Sequence, residues 1–450
     1  MTSNLLIPKL TSSSSLSLST RILKGMNMKS NHPKINRRRF LKTIGAAGFG
    51  SALAAGDGFV ARHQVSAAGE GPKTKFAQVP KRNLGKTGVE VSCLSLGCNR
   101  LDNETVLRGA HRWGVTYWDT ASYYLKGNCE RTIGAYLAKK PEARKAVFIV
   151  TKASGAKSIE DLEKLLQGSL KRLNTEYIDL YQGMHSLGEH AHLTLSDDVR
   201  AWADRAKERK LIRFFGFSTH KNIVQNLTAA SKLDWIDVVM TAYNFRLMQD
   251  PAVQDAIEAC YQAGIGIVAM KAIGLTVAER KKMESGEKEK ETEEDRNIFR
   301  HFLERGLTEE QAKIKYVLED QRISSVCVGM NNVALLTINA AAALDKNTLT
   351  HADREILERY ANETCSRYCA GCAYLCDSVL PDTPYVSELM RYMMYFNSYG
   401  EEDRAKELFA RIPTNVRHKL LNVDYRPAEA LCPQRLPIGE IVTQAVTRLS

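Results

Sequence analysis

VFIVTKASGAKSIEDLEKLLQGSLKRLNTEYIDLYQGMH, residues 147–185, holds two apolar runs with a helical pattern between them. The first run ends at Lys152 and the second ends at His185. Between the runs, apolar residues recur on one helical face, at Leu162, Leu165, Leu166, Leu170 and Leu173. Parallel sheets are built from buried strands joined by such crossover helices. This stretch therefore predicts one strand-helix-strand unit of a parallel sheet.

The same pattern recurs along the chain. Apolar, β-branched or aromatic runs occupy residues 91–98, 115–121, 147–152, 178–185, 212–219, 235–244, 264–271 and 324–330. Eight alternations of strand and helix predict an α/β fold with a (β/α)8 TIM barrel over residues 80–345. A doubly wound open sheet is the alternative, but its Gly-x-Gly-x-x-Gly fingerprint after the first strand is missing. A small, mostly helical C-terminal domain is expected over residues 346–450.

Charge is distributed unevenly along the 450 residues. The net charge is +12, but residues 1–68 carry ten Lys or Arg residues and one acid, Asp57, so +9 lies there and only +3 beyond. Basic and aromatic residues do not interleave as they do in nucleic-acid-binding surfaces. The basic balance therefore does not indicate a nucleic-acid partner.

The N-terminal segment carries consecutive arginines from Arg37 to Arg39, followed by Phe-Leu-Lys and a Gly/Ala-rich run. This pattern resembles the twin-arginine export signal, with small residues before a cleavage site after Ala68. Met26 and Met28 are alternative starts. The resemblance implies that residues 1–68 are a signal peptide with an N-terminal extension, and that the twin-arginine export machinery is a partner. A disordered basic tail is the alternative.

The apolar run within this signal is interrupted by Asp57 and is too weak for a transmembrane helix of about 20 apolar residues. No other segment is apolar enough to span a bilayer. The mature chain is therefore expected to be periplasmic, without a transmembrane anchor.

Polar residues stand at the ends of successive predicted strands, where a (β/α)8 barrel carries its active site. Asp119 and Tyr124 follow the second strand in GVTYWDTASYY, Lys152 ends the third strand and His185 ends the fourth. These motifs resemble the aldo-keto reductase family, as do the opening RNLGKTGVEVSCLSLG, the strand IRFFGFSTH and the segment VCVGMNN. The resemblance implies an NAD(P)-dependent oxidoreductase that transfers hydride between nicotinamide and a carbonyl or alcohol substrate, sugars included.

The four strand-end residues supply the chemistry that carbonyl reduction needs. Reduction delivers a hydride to carbon and a proton to oxygen, so a general acid must stand at the developing alkoxide. A tyrosine has an unperturbed pKa of about 10, and a neighbouring ammonium favours its ionised form. Asp119 would keep Lys152 charged and aimed, and His185 would orient the substrate oxygen. The predicted catalytic residues are therefore Asp119, Tyr124, Lys152 and His185.

The resemblance also implies residues that bind the cofactor, NADPH or NADH. They are Ser218, Thr219, Lys271, Gly329, Asn331, Asn332 and Asn339. The chain departs from the family pattern here, because Met270 replaces a stacking aromatic residue and Met240 replaces a carboxamide contact. The basic residue that commonly clamps a 2′-phosphate is also absent. One extra residue before His185 predicts a β-bulge at Gly183.

Five of the ten cysteines lie beyond residue 360. Cys369, Cys372 and Cys376 stand within residues 368–376, and Cys432 precedes a proline far downstream. Three close cysteines with a distant Cys-Pro resemble the ligands of a ferredoxin-type 4Fe-4S cluster. The resemblance makes residues 346–450 an iron-sulfur domain, with Cys365 as a substitute ligand.

A four-cysteine zinc site and a disulfide cluster are the alternatives. The spacing of the cysteines also fits the radical S-adenosylmethionine signature. That signature belongs after the first strand of its barrel, whereas here it follows the eighth, which excludes it. Residues 387–412, between the two cysteine groups, predict a helical hairpin over the site.

Two functions follow from these features. The first is an exported oxidoreductase of aldo-keto reductase type that carries a 4Fe-4S cluster and exchanges electrons with a redox partner. The second is a catalytically silent barrel that acts as a periplasmic iron-sulfur electron-transfer protein. The intact catalytic set favours the first, and the altered cofactor contacts favour the second.

Overall fold

Eight parallel strands close into a barrel in the computed structural model, which describes residues 77–185, 187, 195–274, 292–399 and 401–450. The predicted export signal lies outside these residues. The barrel strands are β3 (Leu94–Gly97), β4 (Tyr117–Asp119), β5 (Phe148–Lys152), β6 (Ile178–Met184), β7 (Ile212–Thr219), β8 (Val238–Ala242), β9 (Gly266–Met270) and β10 (Ser325–Gly329). Neighbours in the chain pair in parallel, and β10 pairs with both β9 and β3. Each of the eight predicted runs contains one of these strands, so the predicted barrel is confirmed.

An antiparallel hairpin, β1 (Lys81–Asn83) and β2 (Glu90–Ser92), precedes the barrel. Its Leu84 is fully buried among interior side chains that include Tyr117, Phe148 and Leu180. The backbone N–H of Lys86 lies 2.5 Å from the carbonyl oxygen of Gly264, just before β9. The hairpin therefore closes the barrel where its strands begin, and only the opposite end can open into a cleft.

Helices alternate with the strands, as predicted. The barrel helices are α1 (Glu104–Arg112), α2 (Asn128–Lys139), α3 (Ala143–Ala146), α4 (Ile159–Leu173), α5 (Asp197–Glu208), α6 (Ile223–Ala230), α7 (Pro251–Gln262), α8 (Glu293–Glu304), α9 (Glu309–Leu318) and α10 (Val333–Leu344). A side-chain cap fixes the start of helix α4, because Ser158 accepts a 3.2 Å hydrogen bond from the backbone N–H of Asp161. The buried leucines of α4 are Leu162, Leu166, Leu170 and Leu173, on the predicted face.

A register shift interrupts the pairing of β6 with β7. Gln182 stands opposite Gly216 and Met184 stands opposite Phe217, so Gly183 is the extra residue. A Cβ at Gly183 would lie 2.5 Å from the ring of Phe215, which explains why glycine occupies the bulge. The bulge predicted at this residue is confirmed, and it turns the end of β6 toward the barrel mouth.

The C-terminal residues are helical, as expected, but they fall into two groups. Helix α11 (His351–Glu363) packs against the barrel helices, with Leu357 and Tyr360 beside Ile298 and Phe302. A separate apolar core begins at Cys376. It is formed by α12 (Ala373–Val379), α13 (Val386–Tyr399), α14 (Glu402–Ala410), α15 (Thr414–Arg417), α16 (Arg426–Leu431) and α17 (Ile438–Leu449). Helices α13 and α14 are the predicted hairpin.

Polar contacts fix this helical domain on the loop that follows β7. Lys221 contacts Glu388 at 2.6 Å and Asp377 at 3.4 Å, and all three groups are largely buried. The backbone N–H of Asn222 donates a 2.8 Å hydrogen bond to the carbonyl oxygen of Gly371. The loop that carries the cysteines is thereby held at the barrel mouth. Among the described residues, no helix combines the length and apolar character that crossing a membrane requires.

Candidate active site

Asp119 and Lys152 form a buried ion pair at the ends of neighbouring strands β4 and β5. Lys152 Nζ lies 2.5 Å from Asp119 Oδ1 and 2.7 Å from the carbonyl oxygen of Thr120. Lys152 is 1% exposed and Asp119 is 4% exposed. Burial raises the pKa of Asp119, and the Lys152 ammonium opposes that shift. The pair fixes a positive charge in a site where water screens it poorly.

Tyr124 stands next to this charge. A turn follows it in which Leu125, Lys126 and Gly127 all have positive φ, which reverses the chain into α2. Lys152 Nζ lies 5.3 Å from the centroid of the Tyr124 ring. The ring of Tyr124 also meets the His185 ring edge-on, with 6.0 Å between centroids. The structure therefore brings together the four predicted catalytic residues at the end of the barrel where β4, β5 and β6 finish.

His185 is held by a second polar contact. Its Nδ1 lies 2.6 Å from Ser154 Oγ, in the loop after β5. Burial, with the positive charges of Lys152 and Arg391, lowers the pKa of His185 to about 3. The ring is therefore neutral at physiological pH. If Ser154 donates its hydroxyl proton to Nδ1, the imidazole proton remains on Nε2, where it can be donated to a substrate oxygen.

These residues line a cleft of about 880 Å³ at the barrel mouth. Six of the seven predicted cofactor residues also line it, namely Ser218, Lys271, Gly329, Asn331, Asn332 and Asn339. Thr219 is placed differently, because its hydroxyl lies within hydrogen-bonding distance of the carbonyl oxygens of Leu187 and Lys221. Asn332 caps α10, accepting a 2.9 Å hydrogen bond from the N–H of Leu335. The N-terminus of α10 therefore borders the cleft.

The cleft contains residues that the sequence did not identify. His220 follows β7, and its Nδ1 is buried without a hydrogen-bond partner. Burial, with the charges of Lys271 and Arg391, lowers the pKa of His220 well below its usual value. His220 lay inside the strand segment that resembled a known family, but that segment alone gave no reason to single it out.

The C-terminal hairpin forms one wall of the cleft. Ser387, Met390, Arg391, Met394 and Tyr395 of α13 all line it. Their spacing of three, one, three and one residues describes a single helical face. Arg404 of α14 lies between two rings, 4.2 Å from the centroid of Tyr123 and 4.1 Å from that of Tyr395. Tyr123 directly precedes Tyr124, so the hairpin reaches the predicted catalytic residues.

Four cysteines line a second, smaller cavity. They are Cys369, Cys372, Cys376 and Cys432, whereas Cys365 lies outside it. Most of the remaining wall is apolar, with Ala373, Val386, Leu436 and Ile438. Burial raises the pKa of Cys372 and of Cys376 to about 12 each. Cys369, Ala370, Ser387 and Met390 line both this cavity and the large cleft, so the two share a wall.

All ten cysteines are free thiols in the structure. Within the described residues, no group of three or more His, Cys, Asp or Glu side chains stands close enough to hold a single metal ion. The four cysteines therefore surround a space rather than converge on one point.

Comparison with known proteins identifies the barrel. The model of the Aldo/keto reductase family matches residues 96–360, more than half of the chain. L-galactose dehydrogenase of Arabidopsis thaliana is 23% identical over 314 residues, which cover 64% of this chain and 98% of that protein. The uncharacterized oxidoreductase YrpG of Bacillus subtilis is 26% identical over 306 residues, which cover 59% of this chain and 92% of that protein.

A solved structure agrees with this comparison at the level of the fold. The aldo-keto reductase AKR11C1 from Bacillus halodurans, in its holo form, superposes with a TM-score of 0.50 and 22% identity. The superposition covers 63% of this chain and 96% of that one. The family match ends at residue 360, before the loop that carries the cysteines.

Proposed function

Because this chain belongs to the aldo/keto reductase family, we propose that it transfers hydride between a nicotinamide cofactor and a carbonyl or alcohol compound, with Tyr124 as proton donor. The observation that carries this proposal is the placement of Lys152 Nζ, 2.5 Å from Asp119 and 5.3 Å from the centre of the Tyr124 ring. The name of the Arabidopsis relative supports sugars as one substrate class.

The reduction uses these side chains in distinct roles. The nicotinamide, when bound, supplies a hydride to the carbonyl carbon. Tyr124 gives its phenolic proton to the carbonyl oxygen, and the Lys152 ammonium stabilises the phenolate that is left. Asp119 holds Lys152 in place and charged. Neutral His185 donates a hydrogen bond to the same oxygen and so fixes the carbonyl against Tyr124.

The cleft fits a nicotinamide dinucleotide. The first backbone N–H groups of α10 and the exposed side chains of Asn331 and Asn332 suit phosphate oxygens. Lys271 adds a positive charge farther along the cleft. We propose NADPH or NADH as the cofactor, bound through these residues together with Ser218, Gly329 and Asn339. Thr219 would act on the nucleotide only through the loop that it stabilises.

We further propose that Cys369, Cys372, Cys376 and Cys432 hold a 4Fe-4S cluster, which supplies one-electron transfer when bound. The donor set supports this, because four thiols line one largely apolar cavity and Cys365 does not. A zinc ion bound by the same four thiols is the alternative occupant of this cavity. Cys369 lines the active-site cleft as well, so the proposed cluster would lie beside that cleft. Electron exchange with a redox partner is part of this proposal.

A catalytically silent barrel that carries electrons through this cluster is the second candidate. Met240 and Met270 line the cleft and replace residues that contact the cofactor in the family pattern, which favours this second candidate. The two candidates differ in whether the protein binds nucleotide.

Anaerobic titration with NADPH and NADH tests the proposal. We expect wild-type protein to bind one of them and to reduce a panel of aldehydes, ketones and sugars. Tyr124→Phe should lower turnover about 100- to 10,000-fold without weakening nucleotide binding. The matched control is Tyr261→Phe, at an exposed tyrosine on α7, which should leave turnover unchanged. If neither nucleotide binds, the oxidoreductase proposal is wrong.

Export through the twin-arginine pathway is also proposed, on the basis of Arg37 to Lys42. Replacing Arg37 and Arg38 together by lysine should leave the protein in the cytoplasm on cell fractionation. Arg21→Lys, upstream of the pattern, is the control. Periplasmic recovery of the double variant would contradict the proposal.

A further inference from the structure

Arg404 lies between two tyrosine rings in the wall of the cleft. Its guanidinium carbon is 4.2 Å from the centroid of the Tyr123 ring and 4.1 Å from that of the Tyr395 ring. A planar guanidinium stacks on aromatic rings and is attracted to their negative faces. Tyr123 belongs to the loop after β4, whereas Tyr395 belongs to α13. Arg404 therefore joins the barrel to the hairpin of α13 and α14.

The hairpin holds Arg404 in place. Across the turn between its two helices, the backbone N–H of Glu401 donates a 3.1 Å hydrogen bond to the carbonyl oxygen of Tyr395. The Glu401 carboxylate lies 2.7 Å from the Arg404 guanidinium. Ala405 and Phe409 of α14 are buried in the C-terminal core, which anchors the helix. Burial lowers the pKa of Arg404 to about 10, so the guanidinium is still charged at neutral pH.

Tyr123 carries this contact to the predicted catalytic residues. Its ring meets the ring of Tyr124 edge-on, with 5.4 Å between centroids. The same ring lies 6.2 Å from the centroid of His185, and the rings of Tyr124 and His185 also contact each other. Closely packed groups transmit a displacement to their neighbours. The position of Arg404 therefore affects the position of the proposed proton donor.

We propose that Arg404 is a positioning residue for the reduction, and that it acts through Tyr123 to hold Tyr124 and His185 at the substrate oxygen. Proton transfer depends on the distance and direction between donor and acceptor, so a displacement of about 1 Å can lower turnover about 100-fold. This inference rests on the proposed oxidoreductase function and adds a residue to it. Arg404 lies beyond residue 360, where the family match ends. The helical domain thereby completes an active site that the barrel builds only in part.

The helical domain has other contacts that hold it on the barrel. Lys221 and Asn222, in the loop after β7, bind Glu388 and the cysteine loop. Tyr123 lies in a different loop, after β4. If Arg404 had a structural role only, its loss would change the stability of the protein but not the kcat of the folded enzyme. The two roles therefore predict different measurements.

Steady-state kinetics of the full-length protein tests the positioning role, with the nucleotide and carbonyl compound that support turnover in the wild type. Arg404→Gln should lower kcat about 10- to 100-fold and leave nucleotide affinity unchanged. Arg404→Lys should retain part of kcat, because an ammonium is attracted to the ring faces but cannot stack on them as a plane. Arg411→Gln, at an exposed arginine directly after α14, is the control and should leave kcat unchanged. An unchanged kcat in Arg404→Gln would overturn the inference.

A double-mutant cycle shows whether Arg404 acts through Tyr123. Tyr123→Leu should lower kcat by a similar factor. The double variant should be little slower than either single variant, because without the ring Arg404 has no contact to pass on to Tyr124. If the two factors multiply instead, Arg404 acts by another route and the inference is wrong. If Arg404→Gln does not fold, Tyr123→Leu replaces it, and an unchanged kcat in that variant contradicts the inference equally.

Fluorine NMR separates this inference from the proposed function. In protein labelled with 3-fluorotyrosine, the resonance of Tyr124 is assigned by its absence in Tyr124→Phe. It should shift in Arg404→Gln and stay in place in Arg411→Gln, independently of any turnover. If neither nucleotide binds, the oxidoreductase function fails, and the shift alone decides whether Arg404 positions Tyr124. A Tyr124 resonance that does not move in Arg404→Gln would refute the inference and leave the proposed reduction intact.

Discussion

The backbone N–H of Asn222 donates a 2.8 Å hydrogen bond to the carbonyl oxygen of Gly371. This bond joins the loop after β7 to the loop between Cys369 and Cys372. Gly371 has φ of +77°, and a Cβ there would overlap the carbonyl oxygen of His220. Only glycine therefore lets the cysteine loop lie against the barrel mouth.

Gly371→Ala is expected to separate these two loops. The left-handed conformation costs a residue with a side chain about 1–2 kcal/mol, and the clash with the His220 carbonyl adds to that cost. Urea denaturation should therefore show a loss of stability larger than about 2 kcal/mol. The cysteine loop should also become more accessible, which thiol-labelling rates at Cys369 and Cys372 would measure.

Gly155→Ala is the matched control. Gly155 has φ of +76° but no atom within 4 Å of its Cβ position. This variant therefore measures the backbone cost alone. Equal losses of stability for Gly371→Ala and Gly155→Ala would mean that the contact with the His220 carbonyl does not require glycine at position 371.

Lys152→Met is expected to destabilise the fold strongly. It leaves the carboxylate of Asp119 buried without its partner, which typically costs about 3–5 kcal/mol. The double variant with Asp119→Asn should recover much of that loss, because no buried charge remains. Both variants should lack turnover. Urea denaturation measures the difference, and an unchanged midpoint for Lys152→Met would show that Asp119 is not ionised in the folded protein.

Acidification is expected to destabilise the protein through His185. Its folded pKa of about 3 lies below the unfolded value of about 6.5. Between these values the unfolded chain binds a proton that the folded chain does not, so stability falls as the pH drops from 6.5 toward 3. From pH 7 to pH 5 this one residue should account for a loss of about 2 kcal/mol in the free energy of unfolding.

Histidine variants identify the source of this pH dependence. His185→Gln should reduce the loss in the free energy of unfolding between pH 7 and pH 5 by about 2 kcal/mol. His220→Gln should also reduce this loss of stability, because the pKa of His220 is lowered as well. His351→Gln, at an exposed histidine, should leave the loss unchanged. If all three variants match the wild type, neither His185 nor His220 carries the effect.

Cysteine variants test the proposed cluster. Cys369→Ser, Cys372→Ser, Cys376→Ser and Cys432→Ser should each lower the iron content and visible absorbance of anaerobically purified protein. Cys365→Ser should retain both, because Cys365 lies outside the cavity. Cys260→Ser controls for the loss of a buried barrel cysteine. Wild-type protein without iron would contradict the cluster outright.

Periodicity was sufficient to predict the barrel. Residues 147–185 show why, because apolar runs buried on both faces and leucines on one helical face are consequences of local geometry. Each of the eight runs marked a strand for the same reason. The bulge was also predictable, since one extra residue before His185 has to be accommodated within β6.

Only part of the site could be predicted from the order of residues along the chain. Asp119, Lys152 and His185 could be placed near one another because parallel strands end at one edge. The role of α13 could not be predicted, because the sequence of residues 387–395 does not indicate which surface this face of the helix contacts. Thr219 shows the same limit, since its position in the sequence suggested a cofactor contact while its hydroxyl stabilises a loop.

The sequence by itself determined the barrel, the candidate catalytic residues and the cysteine set, because each depends on local spacing or on the common edge of parallel strands. Tertiary structure alone decided that the C-terminal domain forms a wall of the cleft, and that Cys369 and Arg391 both reach it. The physical reason is that these contacts join segments more than 100 residues apart. Their formation depends on packing at Gly371 and on the buried contacts of Lys221, neither of which has a signature in the chain.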